Sequence, residues 1–356
     1  MASLYQKMAK GVAWMVLFKF VGRSLGLIST VILARLLMPS DFGVVAMAMV
    51  VIGILELITW FSFDVVLIQK QDTTREHYDT AWTFNFMFGV VSGLLVLALA
   101  HPTAAYFNEP RLVAVMYVLA SAQFVGGLQN IGIVNFRKDM NFDREFFYFL
   151  GRKLGGFLIT VPLAFILRNY WALVIGQVTS ALAGVVLSYT MHPYRPRFSL
   201  SKSGELFDFS KWMLLLNVIV ALRRRVAHLA VGKLAGAGPL GLFTVSYEIS
   251  NLPTTELVAP INRAVFPGYA QMSHDLQILR DGYLKVLGVI ALFALPAATG
   301  VAAIADLLVP VFLGEKWLDA IPLIQILAFY GGITALQTNA GPVYLALALP
   351  ARLVWL

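Results

Sequence analysis

Trp212-Met-Leu-Leu-Leu-Asn-Val-Ile-Val-Ala-Leu222-Arg-Arg-Arg225-Val-Ala-His-Leu-Ala-Val-Gly-Lys-Leu-Ala235 is the stretch on which the reading of this chain turns. Arg223, Arg224 and Arg225 stand where the hydrophobic pattern puts the middle of a membrane span. Eleven uncharged residues precede them, and only His228 and Lys233 are basic in the twelve that follow. One arginine at a bilayer centre costs roughly 2.5–3.5 kcal/mol on insertion scales, so three together do not all face lipid. They are expected to face a wet cavity, a partner carboxylate or an anionic ligand. The chain reads as one that handles negatively charged cargo inside a membrane.

Composition supports the membrane reading. The 356 residues are 59% hydrophobic and 13% charged, with a mean hydropathy of +0.77, whereas a soluble domain is nearer half apolar and a quarter charged. The apolar stretches are too long for barrel strands, which alternate over about ten residues. The fold class is therefore all-α, a polytopic membrane helix bundle. The net charge of +8 needs no nucleic acid, because cytoplasmic loops of membrane proteins are routinely basic. With no cysteine, neither a disulfide framework nor a thiolate metal site exists. The run 11–34 is too long for a signal peptide and carries Lys19 and Arg23, so it reads as the first span.

Apolar segments fall at about 11–34, 42–61, 81–100, 112–134, 154–167, 171–191, 212–232, 240–262, 284–305 and 321–347. These make ten spans with both chain ends on one side. Of the 27 lysines and arginines, seventeen lie on the N-terminal side, five on the other and five within spans. That bias puts the N-terminus in the cytoplasm. The chain also repeats: a shift of 198 residues pairs Trp14 with Trp212, Arg35 with Lys233, Leu36 with Leu234 and Gly43 with Gly241. The shift overlays span one on span seven and implies two pseudo-symmetric lobes of six spans, the second incomplete. The first lobe is 1–200, with spans one to six. The second is 201–356, with spans seven to ten, and its ending reads as the first turn of an eleventh helix in a truncated product.

Lys19 and Arg23, at i and i+4, share a helix face, and a diphosphate suits such a pair; the alternative is snorkelling to the interface. Arg223, Arg224 and Arg225 cover roughly 200° of a helix and cannot all enter one cavity. Glu56 and Glu248 are charge-balancing partners for arginines or ion-coupling groups, with Glu256 near a span end. His228 could titrate or hydrogen-bond between helices. Gln123, Gln129, Asn130, Trp14, Trp60 and Tyr247 are candidates for contact with sugar. The stretch 142–149 reads as a short interfacial amphipathic segment.

Several loop patterns carry a family likeness: Leu36-Leu-Met-Pro-Ser-Asp-Phe-Gly43, Leu67-Ile-Gln-Lys70, Tyr78-Asp-Thr-Ala-Trp82, Arg137-Lys-Asp-Met-Asn-Phe142, Val265-Phe-Pro-Gly-Tyr-Ala270 and Gln337-Thr-Asn-Ala-Gly-Pro342. In these the chain resembles the polysaccharide-transporter branch of the multidrug/oligosaccharidyl-lipid/polysaccharide flippase superfamily. Bacterial O-antigen and exopolysaccharide flippases of the Wzx or lipopolysaccharide-exporter type are the nearest likeness. The resemblance implies a two-lobed bundle in the bacterial inner membrane that rocks to move undecaprenyl diphosphate-linked oligosaccharide across it. It implies Lys19 and Arg23 as diphosphate ligands; the triplet at 223–225 is added from this chain's own charge pattern. The partners expected are lipid-linked oligosaccharide, membrane lipids and, in an assembly complex, a polysaccharide polymerase and glycosyltransferases. No catalytic residue, metal site, cofactor or nucleic acid is expected. The competing readings are a multidrug or cation antiporter of the same superfamily, disfavoured by two bases and no acid in span one, and a non-transporting subunit of a glycan assembly complex. An enzyme would need an acidic or metal-binding cluster that the short, basic loops lack.

Overall fold

The computed structural model describes residues 2–59, 63–69, 73–139, 141–205, 226–252, 258, 261, 265, 269, 272 and 274–347; the side chains of 2–16, 18, 19, 57–59, 65, 66, 69, 345 and 346 fall outside that description. Among the described residues the secondary structure is helical throughout, with no strand. Helices α1 (Ala2–Leu36), α2 (Pro39–Thr59), α3 (Phe63–Gln69), α4 (Arg75–Phe107), α5 (Arg111–Gly127), α6 (Val134–Lys138), α7 (Phe142–Leu167) and α8 (Trp171–Met191) come first. Helix α9 (Val226–Ala235) and then α10 (Ala237–Ser250), α11 (Leu276–Ala303), α12 (Ala320–Thr338) and α13 (Ala340–Ala346) follow.

Six helical stretches among the described residues are long and apolar enough to cross a membrane, and a seventh if a bent pair counts as one span. Backbone groups in hydrocarbon have no water to bond, so a helix, which satisfies them internally, is the only open-ended solution. Large apolar side chains such as Leu158, Ile166, Leu292 and Ile326 stand exposed on the outer faces. This is a multi-pass membrane protein.

Two spans differ from their sequence outlines. The fourth is a broken helix: α5 ends at Gly127, and a single turn at Ile131–Ile133 leads into α6 at 66° to it. Asn130 holds the bend, its side chain accepting from Gly132 N–H at 2.9 Å and donating to the Tyr194 carbonyl at 2.7 Å, while its own N–H donates to Ser188 Oγ at 3.0 Å. Asn130 is thus a joint. The fifth span is no separate short helix. Residues 142–149 are the opening turns of the 26-residue α7, because Phe146 and Tyr148 are buried and extend the core-facing stripe.

The chain divides into two compact units, 1–240 and 241–356. In the first, α4 packs on α5, α7 on α8, α5 on α8, α1 on α7 and α2 on α4. Small residues let α7 and α8 approach closely: a methyl on Gly155 would lie 2.7 Å from Ala183 Cβ, and one on Gly156 would lie 3.0 Å from Ser180 Cβ. Such contacts replace the hydrophobic driving force that lipid removes.

Short polar residues lock the ends of these helices. In the first turn of α2, Asp41 is buried and accepts from Met38 N–H at 2.9 Å and from Tyr170 N–H at 3.2 Å. One carboxylate therefore caps α2 and ties it to the start of α8. A comparable turn recurs 198 residues on, where α9 ends at Ala235 and α10 begins at Ala237. Near the start of α4, Asp79, Thr80 and Thr83 strap down the extended segment after α8. Asp79 accepts from Tyr194 Oη–H and, at 3.0 Å, from Arg197 N–H, with the Arg75 guanidinium 3.6 Å away. Thr83 Oγ1 accepts from Ser199 N–H at 3.0 Å. Burial, then the hydrogen bond to Asp79, raises the Tyr194 pKa, so the phenol stays protonated and donating.

In the second unit, α11 packs on α12 around Val258, Ile290, Ala294 and Ala335. Ser250 Oγ donates to the Ile324 carbonyl at 3.2 Å, and the buried Tyr269 Oη donates to Asn339 at 3.2 Å. Two of the loop patterns read from sequence thus meet each other.

Removing the Asp79 carboxylate strands a half-buried phenol and a backbone N–H, which costs roughly 1–3 kcal/mol per lost partner. Asp79→Ala is expected to lower the melting temperature in detergent and to expose the 192–202 segment to protease, whereas Ser201→Ala at the exposed end should do neither. Just past α8, burial, aided by Arg144 and Arg195 and opposed by Asp139, holds the His192 pKa below its ordinary value of 6.5. The unfolded chain then takes up the proton first, so the contribution of His192 is present above pH 6.5 and lost as pH falls below it. Melting should be lower at pH 5 than at pH 7, and His192→Gln should flatten that difference.

Candidate functional site

In the first unit lies a half-open cavity of about 380 Å³, lined by α2 to α7 and the bend after α5. It exists because the chain breaks after Gly127, where a continuous helix would have filled the space. Beside it α4 and α5 meet closely: a methyl on Gly89 of α4 would come 2.6 Å from Gly127 Cα on α5.

One wall carries a polar relay. Ser92 Oγ donates to Gln123 Oε1 at 3.4 Å, and Gln123 Nε2 donates to Glu56 at 3.2 Å. Asn85 and Gln129 add two more amides to the lining. A second wall is ionic. Arg137 binds Glu145 through Nε at 2.9 Å and Nη2 at 2.7 Å, and lies 3.6 Å from Asp64. One guanidinium is thus held between two carboxylates that come from α3 and α7. An aromatic face completes the lining: the Phe63 and Phe88 rings are stacked with centroids 6.1 Å apart, and Phe84 lies between the same partners at 5.1 and 6.0 Å.

The expected site residues distribute as follows. Glu56, Gln123 and Gln129 line the cavity, and Asn130 supports its bend. Lys19 and Arg23 lie on α1; Arg23 is half-buried, and the Lys19 side chain is outside the described residues. His228 is on α9, and Glu248 is on α10 in the second unit. Tyr247 packs its ring against Phe243 at 5.9 Å. Arg223, Arg224 and Arg225, with Trp60 and Glu256, lie outside the described residues, and Trp14 is on α1 with its side chain outside them.

Sequence reasoning missed Lys153, assigning it to the loop before span five. It sits three turns inside α7, and its ammonium donates to the Gly22 carbonyl of α1. A methyl at Gly26 would stand 3.4 Å from Lys153 Nζ. Positions 19, 22, 23 and 26 share one helical face, so a third cation arrives on the face that bears Lys19 and Arg23. The signal was present in Gly22 and Gly26, two residues without side chains beside two cations.

Cavity geometry makes Gly89 a sharp test. Gly89→Ala forces α4 and α5 apart and should destabilise the protein by about 1–3 kcal/mol. A methyl at Gly126 meets nothing within 4 Å, so Gly126→Ala should be neutral or stabilising by up to ~1 kcal/mol. Thermal melting in detergent distinguishes them, and equal effects would contradict the packing.

Comparison with known proteins gives consistent matches. A family model described as polysaccharide biosynthesis protein (Polysacc_synt_3) matches residues 32–322. The lipopolysaccharide biosynthesis protein WzxC of Escherichia coli (strain K12) is 26% identical over 356 residues, covering 97% of this chain and 71% of WzxC. The teichuronic acid biosynthesis protein TuaB of Bacillus subtilis (strain 168) is 23% identical over 295 residues, covering 82% of this chain and 61% of TuaB. Among solved structures, the lipid II flippase MurJ in an inward closed conformation matches with a TM-score of 0.73 at 11% identity, over 95% of this chain and 76% of MurJ. At that identity the likeness shows a shared fold.

Proposed function

The chain belongs to the polysaccharide biosynthesis protein family, and on that premise we propose that it is a flippase for lipid-linked oligosaccharide. The cargo is an undecaprenyl diphosphate-linked glycan, moved by alternating access across the bacterial inner membrane during surface polysaccharide or lipopolysaccharide synthesis. The observation that carries this reading is the cationic face of α1, where Lys19 and Arg23 are joined by Lys153 through the Gly22 carbonyl. Arginine grips a phosphate through two parallel N–H bonds and lysine through a compact charge, so such a face suits a diphosphate. Arg223, Arg224 and Arg225 supply one or two further contacts from span seven, the remainder being balanced by acids.

The charge bias of the loops supports a cytoplasmic N-terminus. The 198-residue repeat supports lobes at 1–200 and 201–356 that rock against each other. A polymerase and glycosyltransferases that build and consume the cargo are the protein partners. The cavity's three acids, Glu56, Asp64 and Glu145, favour the second reading, a cation antiporter. Two of them are engaged by Arg137, however, and the cations of α1 would repel such cargo.

Charge-assisted hydrogen bonds contribute ~1.5–3 kcal/mol each, so losing two should cut transport roughly ten-fold or more. Arg23→Ala with Arg224→Ala should reduce surface-glycan export to that extent at normal protein levels, and Lys153→Ala should do so in part. Undiminished export in the double variant would overturn the diphosphate assignment.

A further inference from the structure

We propose that the cavity of the first unit is a binding subsite for an uncharged sugar ring of the cargo, separate from the cationic face that holds the diphosphate. The inference rests on the flippase reading and adds to it which part of the cargo goes where. Four observations carry it: size, hydrogen-bonding capacity, aromatic lining and charge.

A volume of about 380 Å³ corresponds to about a dozen waters at roughly 30 Å³ each. That is room for one or two pyranose rings. It is far more than a dehydrated ion needs, and it lies within the usual range of small-molecule sites.

The hydrogen-bonding groups match hydroxyls, which both donate and accept. Asn85, Gln123 and Gln129 each present an amide with two donor hydrogens and an acceptor oxygen, and Ser92 can do either. Gln123 is already oriented, with its donor on Glu56 and its acceptor on Ser92, so its remaining hydrogen and lone pair have a fixed direction. A site whose buried polar groups are arranged for hydroxyls discriminates strongly, because a ligand lacking them leaves those groups unpaired. The half-buried Phe88 ring, stacked on the buried Phe63, offers an apolar surface beside this polar wall. One polar edge and one apolar face is the character of a sugar ring.

Charge then separates the two ends of the cargo. Three carboxylates, Glu56, Asp64 and Glu145, outnumber the one guanidinium, Arg137, in the described lining. A diphosphate or a uronic acid would be repelled there, while a neutral ring would not. A coupling cation is the other ligand such charge could suit. The two carboxylates nearest each other are held by the Arg137 guanidinium at 2.7 and 3.6 Å, so they are not gathered around an empty centre.

The test uses the full chain in phospholipid nanodiscs and three probes: bare undecaprenyl diphosphate, the same carrier bearing one glucosyl or galactosyl residue, and its glucuronosyl counterpart. The neutral hexose should raise affinity at least ten-fold over the bare carrier, and the glucuronosyl probe should not. Gln123→Ala and Asn85→Ala should each remove that gain while binding the bare carrier as the parent does. Asn85→Ala carries the test if the Gln123 variant melts early. Equal affinity for bare and hexosyl carriers, an equal gain for glucuronosyl, or a gain that survives both variants would overturn the subsite and leave the flippase reading standing. No binding of the bare carrier would overturn the flippase reading and the subsite with it.

Discussion

A polar group taken into hydrocarbon without a partner costs several kilocalories per mole, and this penalty organises the molecule. Helices satisfy the backbone, but helix ends, bends and crossings do not satisfy themselves. At each such place a short polar side chain makes more than one bond. Asp41 holds two N–H groups from two loops. Asp79 holds a phenol and an N–H, and Asn130 bonds to three partners at a broken span. These groups contribute stability chiefly because their absence would leave others stranded.

The same penalty explains how a polar space persists among apolar helices. The break after Gly127 turns α6 away from α5 and opens volume. The groups facing that volume are then pre-paired, Gln123 with Glu56 and Ser92, and Arg137 with Glu145 and Asp64. Paired groups hold their orientation without a ligand, which reduces the ordering cost when one arrives. Glycine contacts between α4 and α5 keep the cavity's frame rigid, since neither helix can slide without a backbone clash.

Much of this was legible in the sequence. Hydropathy gave the helical membrane class and the outlines of the described spans, because a period of twenty apolar residues has no other stable use in a bilayer. The loop patterns that carried the family likeness turn out to be joints: Asp41, Asp79, Arg137, Tyr269 and Asn339 each bond to a segment distant in sequence. Their partners could not be read, since nothing local in Tyr78-Asp-Thr-Ala-Trp82 points to residues 194–202. The break at 128–130 was hidden because Leu128 and Ile131 keep the run apolar while Asn130 bends it. Lys153 was misplaced because charge was taken as the end of a helix, when its ammonium lies along the glycines of α1. The cavity was invisible for a tertiary reason, as its lining is gathered from six helices.

An amphiphilic cargo with a charged junction between a lipid tail and a glycan presents three chemistries at once. One uniform cavity could not serve them, because cations that grip a diphosphate bind neutral hydroxyls only weakly, and carboxylates that accept from hydroxyls repel the diphosphate. The first unit carries both kinds of surface: cations on α1 and α7, and amides and acids on α2 to α5 and the start of α7. Lys153 and Glu145 stand eight residues apart on the one helix common to both. On this reading α7 sets the distance between phosphate and sugar, and a change in its tilt would alter both contacts together. Release of the cargo then needs no separate trigger for each end.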